Sequence, residues 1–144
     1  MSEHSFSSLP FLSSSPKLLA NLASLGFESM TAIQAQSLPS ILEGKDIIAQ
    51  GQTGSGKTAA FALGILATID PTLFKVQSLV LCPTRELAEQ VSAEIRRIAR
   101  AIPNIKLLTL CGGTPLKAQA NSLEHGAHIA VSYTHLTLPT TPYV

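Results

Sequence analysis

The 144-residue sequence contains no tryptophan, and aromatic residues supply only 5% of it. Charge is scarce as well, at 13% of residues with a net of +1, which argues against a polybasic nucleic-acid glove and leaves room only for a local basic surface. With 45% hydrophobic residues the chain is not of the disordered class, and its length is one domain's worth with a sizeable core. No apolar run is long enough to cross a bilayer. The start, Met1-Ser2-Glu3-His4-Ser5, lacks the basic region and continuous apolar core of a signal peptide. There are two cysteines, Cys82 and Cys111, too far apart for a C-x-x-C motif. Each ends an apolar run, which predicts buried free thiols in a reducing cytoplasm. The four histidines show no ligand spacing, and no internal repeat is present. Aspartate occurs only at Asp46 and Asp70, neither of which follows an apolar run, and no Asp-Glu pair exists. That last absence matters most, because of what is present.

From Gly51 to Thr58 the sequence reads Gly-Gln-Thr-Gly-Ser-Gly-Lys-Thr and fits G-x-x-x-x-G-K-[ST]. It follows the apolar run Ile47–Gln50 and precedes a helix-forming run, the context of a phosphate-binding loop. Glycines let the backbone curl so that successive N–H groups face phosphate oxygens. The helix behind adds its unpaired N–H groups and the positive end of its dipole. Lys57 suits the β- and γ-phosphates of a nucleoside triphosphate, and the Thr58 hydroxyl suits Mg²⁺. These two residues are the catalytic candidates, with Thr58 also the metal candidate.

The chain in order predicts strands alternating with helices. Ser15-Pro16 opens a helix with an apolar stripe at Leu18, Leu19, Leu22 and Leu25, and Gly26 stands at its C′ position. Thr31 caps a second helix, which Pro39 is expected to kink or divide. Ile47–Gln50 is predicted as a strand, and Lys57 to about Thr68 as a helix apolar almost all round and packed on a sheet. Asp70-Pro71-Thr72 ends it. Ser78–Cys82 is a second strand, and Pro83-Thr84 caps a long helix. Its apolar positions Leu87, Val91, Ile95, Ile98 and Ile102 step by four, four, three and four. Ile105–Leu110 and Ala127–Val131 are the third and fourth strands, with Thr114-Pro115 opening the helix between them. The alternation implies a doubly wound parallel sheet with ligands at the carboxyl ends of its strands. The phosphate loop, Pro83-Thr84-Arg85 and Gly112-Gly113 all fall at such ends.

Together these residues resemble the DEAD-box RNA helicases. Gly26-Phe27 with Thr31-Ala32-Ile33-Gln34 is similar to that family's Q motif, and Ala49–Thr58 to its motif I. Pro83-Thr84-Arg85-Glu86-Leu87-Ala88 is similar to motif Ia, and Gly112-Gly113 to the GG motif. The upstream aromatic of the Q motif is Phe6 or Phe11. Within the family, Leu79–Gly113 and Met30 resemble a bacterial branch that acts on ribosomal RNA. The resemblance implies a RecA-like P-loop NTPase lobe, here incomplete with about four strands, and ATP with Mg²⁺ as ligands. ATP would be held by Phe27, Thr31, Gln34, Gln52, Thr53, Gly54, Ser55, Gly56, Lys57 and Thr58. Gln34 offers an amide that matches the N6 and N7 edge of adenine, and Phe27 a face on which the base can stack. On ordinary burial alone Gln34 is a polar helix residue and Phe27 a core aromatic; the neighbouring phosphate loop reverses that preference. RNA would meet Pro83, Thr84, Arg85, Gly112 and Gly113, through hydroxyl, guanidinium and backbone N–H groups. Arg96, Arg97 and Arg100 read as a solvated face at a helix C-terminus.

Against the family pattern, the Asp-Glu-Ala-Asp element and the second RecA-like lobe with its arginine fingers are missing from the sequence. Residues 1–131 therefore read as the N-terminal part of the first lobe of a cytoplasmic ATP-dependent RNA helicase. Its partner is RNA, ribosomal by the closer resemblance, and no membrane is involved. The fragment itself is expected to bind ATP at most, in effect a non-catalytic nucleotide-binding truncation. Residues 132–144 depart from the family's Thr-Pro-Gly-Arg element. They carry no glycine and no charge, with four threonines and two prolines in the last eleven residues, and read as foreign to the helicase. A lobe cut before its remaining strands is expected to leave an unpaired apolar sheet edge, with a risk of aggregation.

Overall fold

A computed structural model describes residues 4–113 and 115–133. The chain forms two compact units. One holds the residues up to Thr68 together with Glu94–Pro103; the other holds Ile69–Ala93 together with the residues from Asn104 onward.

The first unit is helical. After a 3-10 turn at Phe6–Ser8 come α1 (Pro10–Ser13), α2 (Pro16–Ser24), α3 (Ala32–Leu42) and α4 (Lys57–Thr68). Proline stands in the first turn of α2 as expected. At its other end Gly26, with φ +91°, donates to Ala23 O at 3.1 Å while Phe27 N–H bonds Leu22 O at 2.9 Å, the two bonds of a Schellman motif. Leu18 and Leu22 turn inward with Phe6, Leu12, Leu38, Leu63 and Leu66 to form the core. Asn21 Nδ2 donates to the carbonyls of Arg97 and Ile98, both at 2.9 Å, so a neutral amide secures the last turn of the long helix within this unit. α3 runs through Pro39 undivided. The proline forfeits one helical N–H, but the turn closes beyond it, where Glu43 N–H reaches Pro39 O at 3.2 Å. α3 packs on α4, with Gly64 facing Ile41.

The strand expected at Ile47–Gln50 does not form. Residues 45–50 have no regular structure, Ile48 is fully exposed, and the segment borders an open groove of about 270 Å³ beside Ile33, Ser37 and Ser40 of α3. An apolar run supplies the side chains for a strand, but a parallel strand exists only through the N–H and C=O groups of a neighbour. Among the described residues none offers them here.

The second unit holds a three-stranded parallel sheet rather than four strands: β1 (Ser78–Cys82), β2 (Leu107–Thr109) and β3 (Ile129–Tyr133), in the order β1-β3-β2. Ser78 pairs with Ile129, Cys82 with Tyr133, and Leu107 with Ile129. β3 is central and Ile129–Ser132 are buried, as a strand covered on both faces should be. It continues two residues past Val131: the Ser132 hydroxyl donates to Leu110 O at 2.8 Å, and residues 134–144 lie outside the description. α5 (Arg85–Ala99) follows β1 and α6 (Leu116–Glu124) follows β2. Pro115 stands just before α6, and Thr114, expected to cap it, lies outside the described residues. Along α5 Ala88, Val91, Ser92, Ile95 and Ile98 are buried, Leu87 is largely exposed, and Ile102 falls beyond the helix. Ser92 shares a hydrogen bond with Thr109 at 2.8 Å. Among the described residues β1 lies at an edge of the sheet, and Leu79 and Leu81 are exposed on one side of it.

His128, to which the sequence assigns no chemistry, anchors the entry to all three strands. It is fully buried, and its Nδ1 accepts Lys106 N–H at 3.0 Å, which places the ring proton on Nε2, 3.0 Å from Pro71 O. Its own carbonyl accepts Gln77 N–H at 2.9 Å, its N–H donates to Lys106 O at 2.8 Å, and Phe74 lies against the ring at 4.9 Å. The Asp70-Pro71-Thr72 turn feeding this hub is closed by the Thr72 hydroxyl and N–H on Asp70 Oδ1, at 2.6 and 2.9 Å. Those bonds hold the exposed Asp70 carboxyl below its ordinary pKa.

Candidate functional site

The first cluster lies in the helical unit and is built on the junction between α3 and the loop Gly51–Gly56. Gly54 and Gly56 have φ of +83° and +90°, and Ser55 N–H closes a turn on Gln52 O at 3.1 Å. α4 starts at Lys57, so the first-turn N–H groups of Lys57, Thr58 and Ala59 lack intrahelical partners. Two side chains of the α3 N-terminus grip this loop. The Thr31 hydroxyl donates to Ser55 O at 2.7 Å, and Gln34 Nε2 donates to Gly56 O at 3.1 Å. Across a trans peptide the next N–H points opposite to the carbonyl. Turning the Ser55 and Gly56 carbonyls toward α3 therefore turns the N–H groups of Gly56 and Lys57 away from it. The grip sets the direction of these two donors.

Gln34 does this while capping its own helix, since its Oε1 accepts Thr31 N–H at 2.9 Å in a capping box. The residue is fully buried. One amide N–H and one oxygen lone pair remain after these bonds. Beyond the contact with the base that the sequence pattern implies, the structure gives this amide a bond to the loop backbone. The signal for that was present in the Thr-x-x-Gln spacing, which is a capping-box pattern as well as a motif. Phe27 is half-buried at the end of α2, Phe6 is buried in the core and Phe11 is half-buried.

Inside the loop Lys57 Nζ donates to Gly51 O, and lies 3.3 Å from Gln52 O. Ser55 Oγ is enclosed without a hydrogen-bond partner among the described residues. A Cβ at Gly51 would come within 2.7 Å of that hydroxyl. An ammonium satisfied only by neutral carbonyls, an unpaired hydroxyl and outward N–H groups are what a phosphate anion would complete, so the residues fit a triphosphate. Gln52, Thr53 and Gly54 form the exposed rim of the loop, and Thr58 stands half-buried in the first turn of α4. Gly56 cannot carry a side chain. A Cβ there would stand 2.4 Å from Gln34 Nε2 and 3.0 Å from Thr31 Oγ1, and the φ of +90° is strained for any L-residue. Gly56→Ala is expected to destabilise the first unit by about 2 kcal/mol or more and to release both grips, a loss that urea titration will register.

The second cluster lies at the carboxyl ends of the sheet. Thr84 caps α5, accepting Leu87 N–H at 3.2 Å. Arg85 reaches across to the loop after β2, where Nη1 donates to Gly112 O at 3.2 Å, while its Nε lies 3.3 Å from Glu89 Oε1. The hydrogen bond that Arg85 donates to Glu89, and the nearby Cys111, raise the Arg85 pKa further above its ordinary value. Gly112 N–H donates to the Tyr133 hydroxyl at 3.0 Å, and Gln119 Nε2 donates to Cys111 O at 2.8 Å. The glycine pair has a use inside the chain. A Cβ on Gly112 would meet Tyr133 Oη at 3.0 Å, and one on Gly113, with φ +83°, would meet Arg85 Nη1 at 3.3 Å. The motifs at Pro83–Arg85 and Gly112-Gly113 are thus joined directly, while Arg96, Arg97 and Arg100 lie exposed on the helix surface and its end. Both cysteines are free; Cys82 is buried and its thiol pKa is raised by desolvation, but Cys111, expected buried, is half-exposed beside this loop.

The profile of the DEAD/DEAH box helicase family matches residues 31–139. The chain is 59% identical over 117 residues to the ATP-dependent RNA helicase DbpA of Escherichia coli K12, covering 81% of this chain and 26% of that protein. It is 44% identical to the DEAD-box ATP-dependent RNA helicase CshA of Bacillus cereus, covering 81% of this chain and 22% of the relative. The chain therefore spans about a quarter of the length of these relatives. A crystal structure of a DEAD box protein from Methanococcus jannaschii superposes with a TM-score of 0.82 at 34% identity, over 90% of this chain and 34% of the other. A hypothetical ATP-dependent RNA helicase from Sulfolobus tokodaii gives 0.69 at 38% identity, over 82% and 33%. The expected RecA-like α/β class holds, with three strands among the described residues where about four were expected.

Proposed function

The chain belongs to the DEAD/DEAH box helicase family, and from that premise we propose that it is the ATP-binding, RNA-contacting opening part of an ATP-dependent RNA helicase. The observation that carries the reading is the grip of Thr31 and Gln34 on Ser55 and Gly56, which unites two separately recognised nucleotide motifs in one structure. In this proposal the N–H groups of the loop and the Lys57 ammonium bind the triphosphate, Thr58 holds Mg²⁺, and Phe27 meets the adenine, with Gln34 offering it only the amide N–H and lone pair that its contacts to Gly56 and Thr31 leave over. Bound ATP supplies the phosphoryl group whose hydrolysis resets the closed helicase. Thr84, Arg85 and the Gly112-Gly113 loop take the phosphates of a single RNA strand, Pro83 setting the turn that exposes them. Ribosomal RNA as substrate, with a role in ribosome assembly, and the cytoplasm as compartment are the finer proposals. They rest on the resemblance of Leu79–Gly113 and Met30 to the bacterial branch that acts on ribosomal RNA.

The chain by itself binds ATP without hydrolysing it, because its sequence holds no Asp-Glu pair to complete the Mg²⁺ site and position water. The test is a pair of measurements on the full chain: titration with a fluorescent ATP analogue, and phosphate release with and without RNA. Saturable binding without release is the expected result; RNA-stimulated release that Lys57→Ala abolishes would overturn it. We also propose, on the composition of residues 132–144, that this stretch is not helicase sequence, even though Ser132 and Tyr133 complete β3 and the family profile runs on to residue 139; a native transcript reading through it in frame would refute that.

A further inference from the structure

We propose that Glu89 is a positioning residue for RNA binding, holding the Arg85 guanidinium in the orientation that presents its free edge to an RNA phosphate. The inference rests on the RNA reading of Thr84, Arg85 and Gly112-Gly113 given above and adds a residue outside it. Arg85 is exposed, and an exposed arginine samples many rotamers that a bound phosphate must then restrict. Here two anchors remove that freedom. Nε is tied to Glu89 one helical turn along α5, at 3.3 Å, and Nη1 to the Gly112 carbonyl, at 3.2 Å. A planar group held on two sides by acceptors from different segments keeps its plane. Two of its five N–H donors are spent and three stay available for the bidentate contact that phosphates favour. Gly113 completes the arrangement, since its missing Cβ leaves the space beside Nη1.

The proposal has an unusual sign. A carboxylate beside a polyanion site ordinarily repels the ligand, so neutralising a bystander glutamate tightens binding. Neutralising a positioning glutamate weakens it, although the net charge becomes more favourable. The experiment is fluorescence anisotropy of a short labelled single-stranded RNA against the full chain, at two salt concentrations, with Glu89→Ala, Glu89→Gln, Arg85→Ala and the double variant Arg85→Ala/Glu89→Ala. Glu89→Ala is expected to weaken binding about two- to fivefold, the range of an exposed ion pair. Glu89→Gln should fall between it and the parent, because the amide oxygen keeps the acceptor at the same reach. In the Arg85→Ala background, removing Glu89 should no longer weaken binding. If Glu89→Ala binds as tightly as the parent or tighter while Arg85→Ala weakens, Glu89 is a bystander and the proposal falls with the RNA reading intact. If Arg85→Ala leaves the affinity unchanged, or the parent binds no RNA, the RNA reading itself fails and takes the proposal with it.

Discussion

Lys57→Ala will weaken ATP binding by about ten- to a hundredfold and leave adenosine binding unchanged. The magnitude follows from the contacts at stake: a hydrogen bond to a charged group contributes about 1.5–3 kcal/mol, and each 1.4 kcal/mol is a factor of ten. The selectivity follows from position. Lys57 Nζ sits on the Gly51 and Gln52 carbonyls inside the loop, well apart in function from the Thr31 and Gln34 contacts that shape it. Exchanging neutral carbonyls for phosphate oxygens is favourable for an ammonium, whereas a ligand without phosphate gives it nothing new to bind. Calorimetric titration with ATP and with adenosine checks both halves. An equal loss for the two ligands would mean that the substitution had damaged the loop rather than removed a phosphate contact. The Gly56→Ala variant supplies that comparison, because it should weaken the loop for every ligand that depends on its shape.

The largest effect on stability is expected at His128, far in sequence from any motif. His128→Leu keeps most of the side-chain volume but leaves the Lys106 N–H without its acceptor and the Pro71 carbonyl without its donor. An abandoned buried polar group costs about 1–3 kcal/mol, and because both of these are only part-buried each falls at the low end, so the pair should cost about 2–3 kcal/mol. That is a large share of the 5–15 kcal/mol typical of a whole domain. His128→Asn should recover part of the loss, because its Oδ1 stands near the place of Nδ1 and can accept Lys106 N–H. Urea unfolding followed by circular dichroism will report the order parent, then Asn, then Leu. Equal midpoints for Asn and Leu would mean that the Lys106 bond contributes little and that the Pro71 bond or the packing of Phe74 dominates.

Legibility differed from residue to residue for reasons that can be stated. The helix signals at Pro16, Gly26, Thr31 and Thr84 are local: a cap, a fixed φ or a left-handed residue acts within one turn, and all four appear where expected. The period of Val91, Ile95 and Ile98 likewise fixes which side of α5 is buried. Ile47–Gln50 is apolar yet forms no strand, because hydrophobicity describes what a strand buries and is silent about what it pairs with. Gln34 carried two signals at once, a motif and a capping box, and only coordinates show which groups its amide meets. Arg85 with Gly112, and His128 with Lys106 and Pro71, join residues 22 to 57 positions apart, beyond the reach of any periodicity.

The Gly51–Thr58 pattern, the family, and the want of an Asp-Glu pair are all written in the order of the residues, because each depends on residue type at fixed short spacing. The arrangement that makes those residues a site was decided only on folding. Carbonyl direction at Ser55 and Gly56, the plane of the Arg85 guanidinium and the tautomer of His128 all depend on a partner from elsewhere in the chain. A hydrogen bond has a direction as well as two ends, and only the folded backbone supplies it.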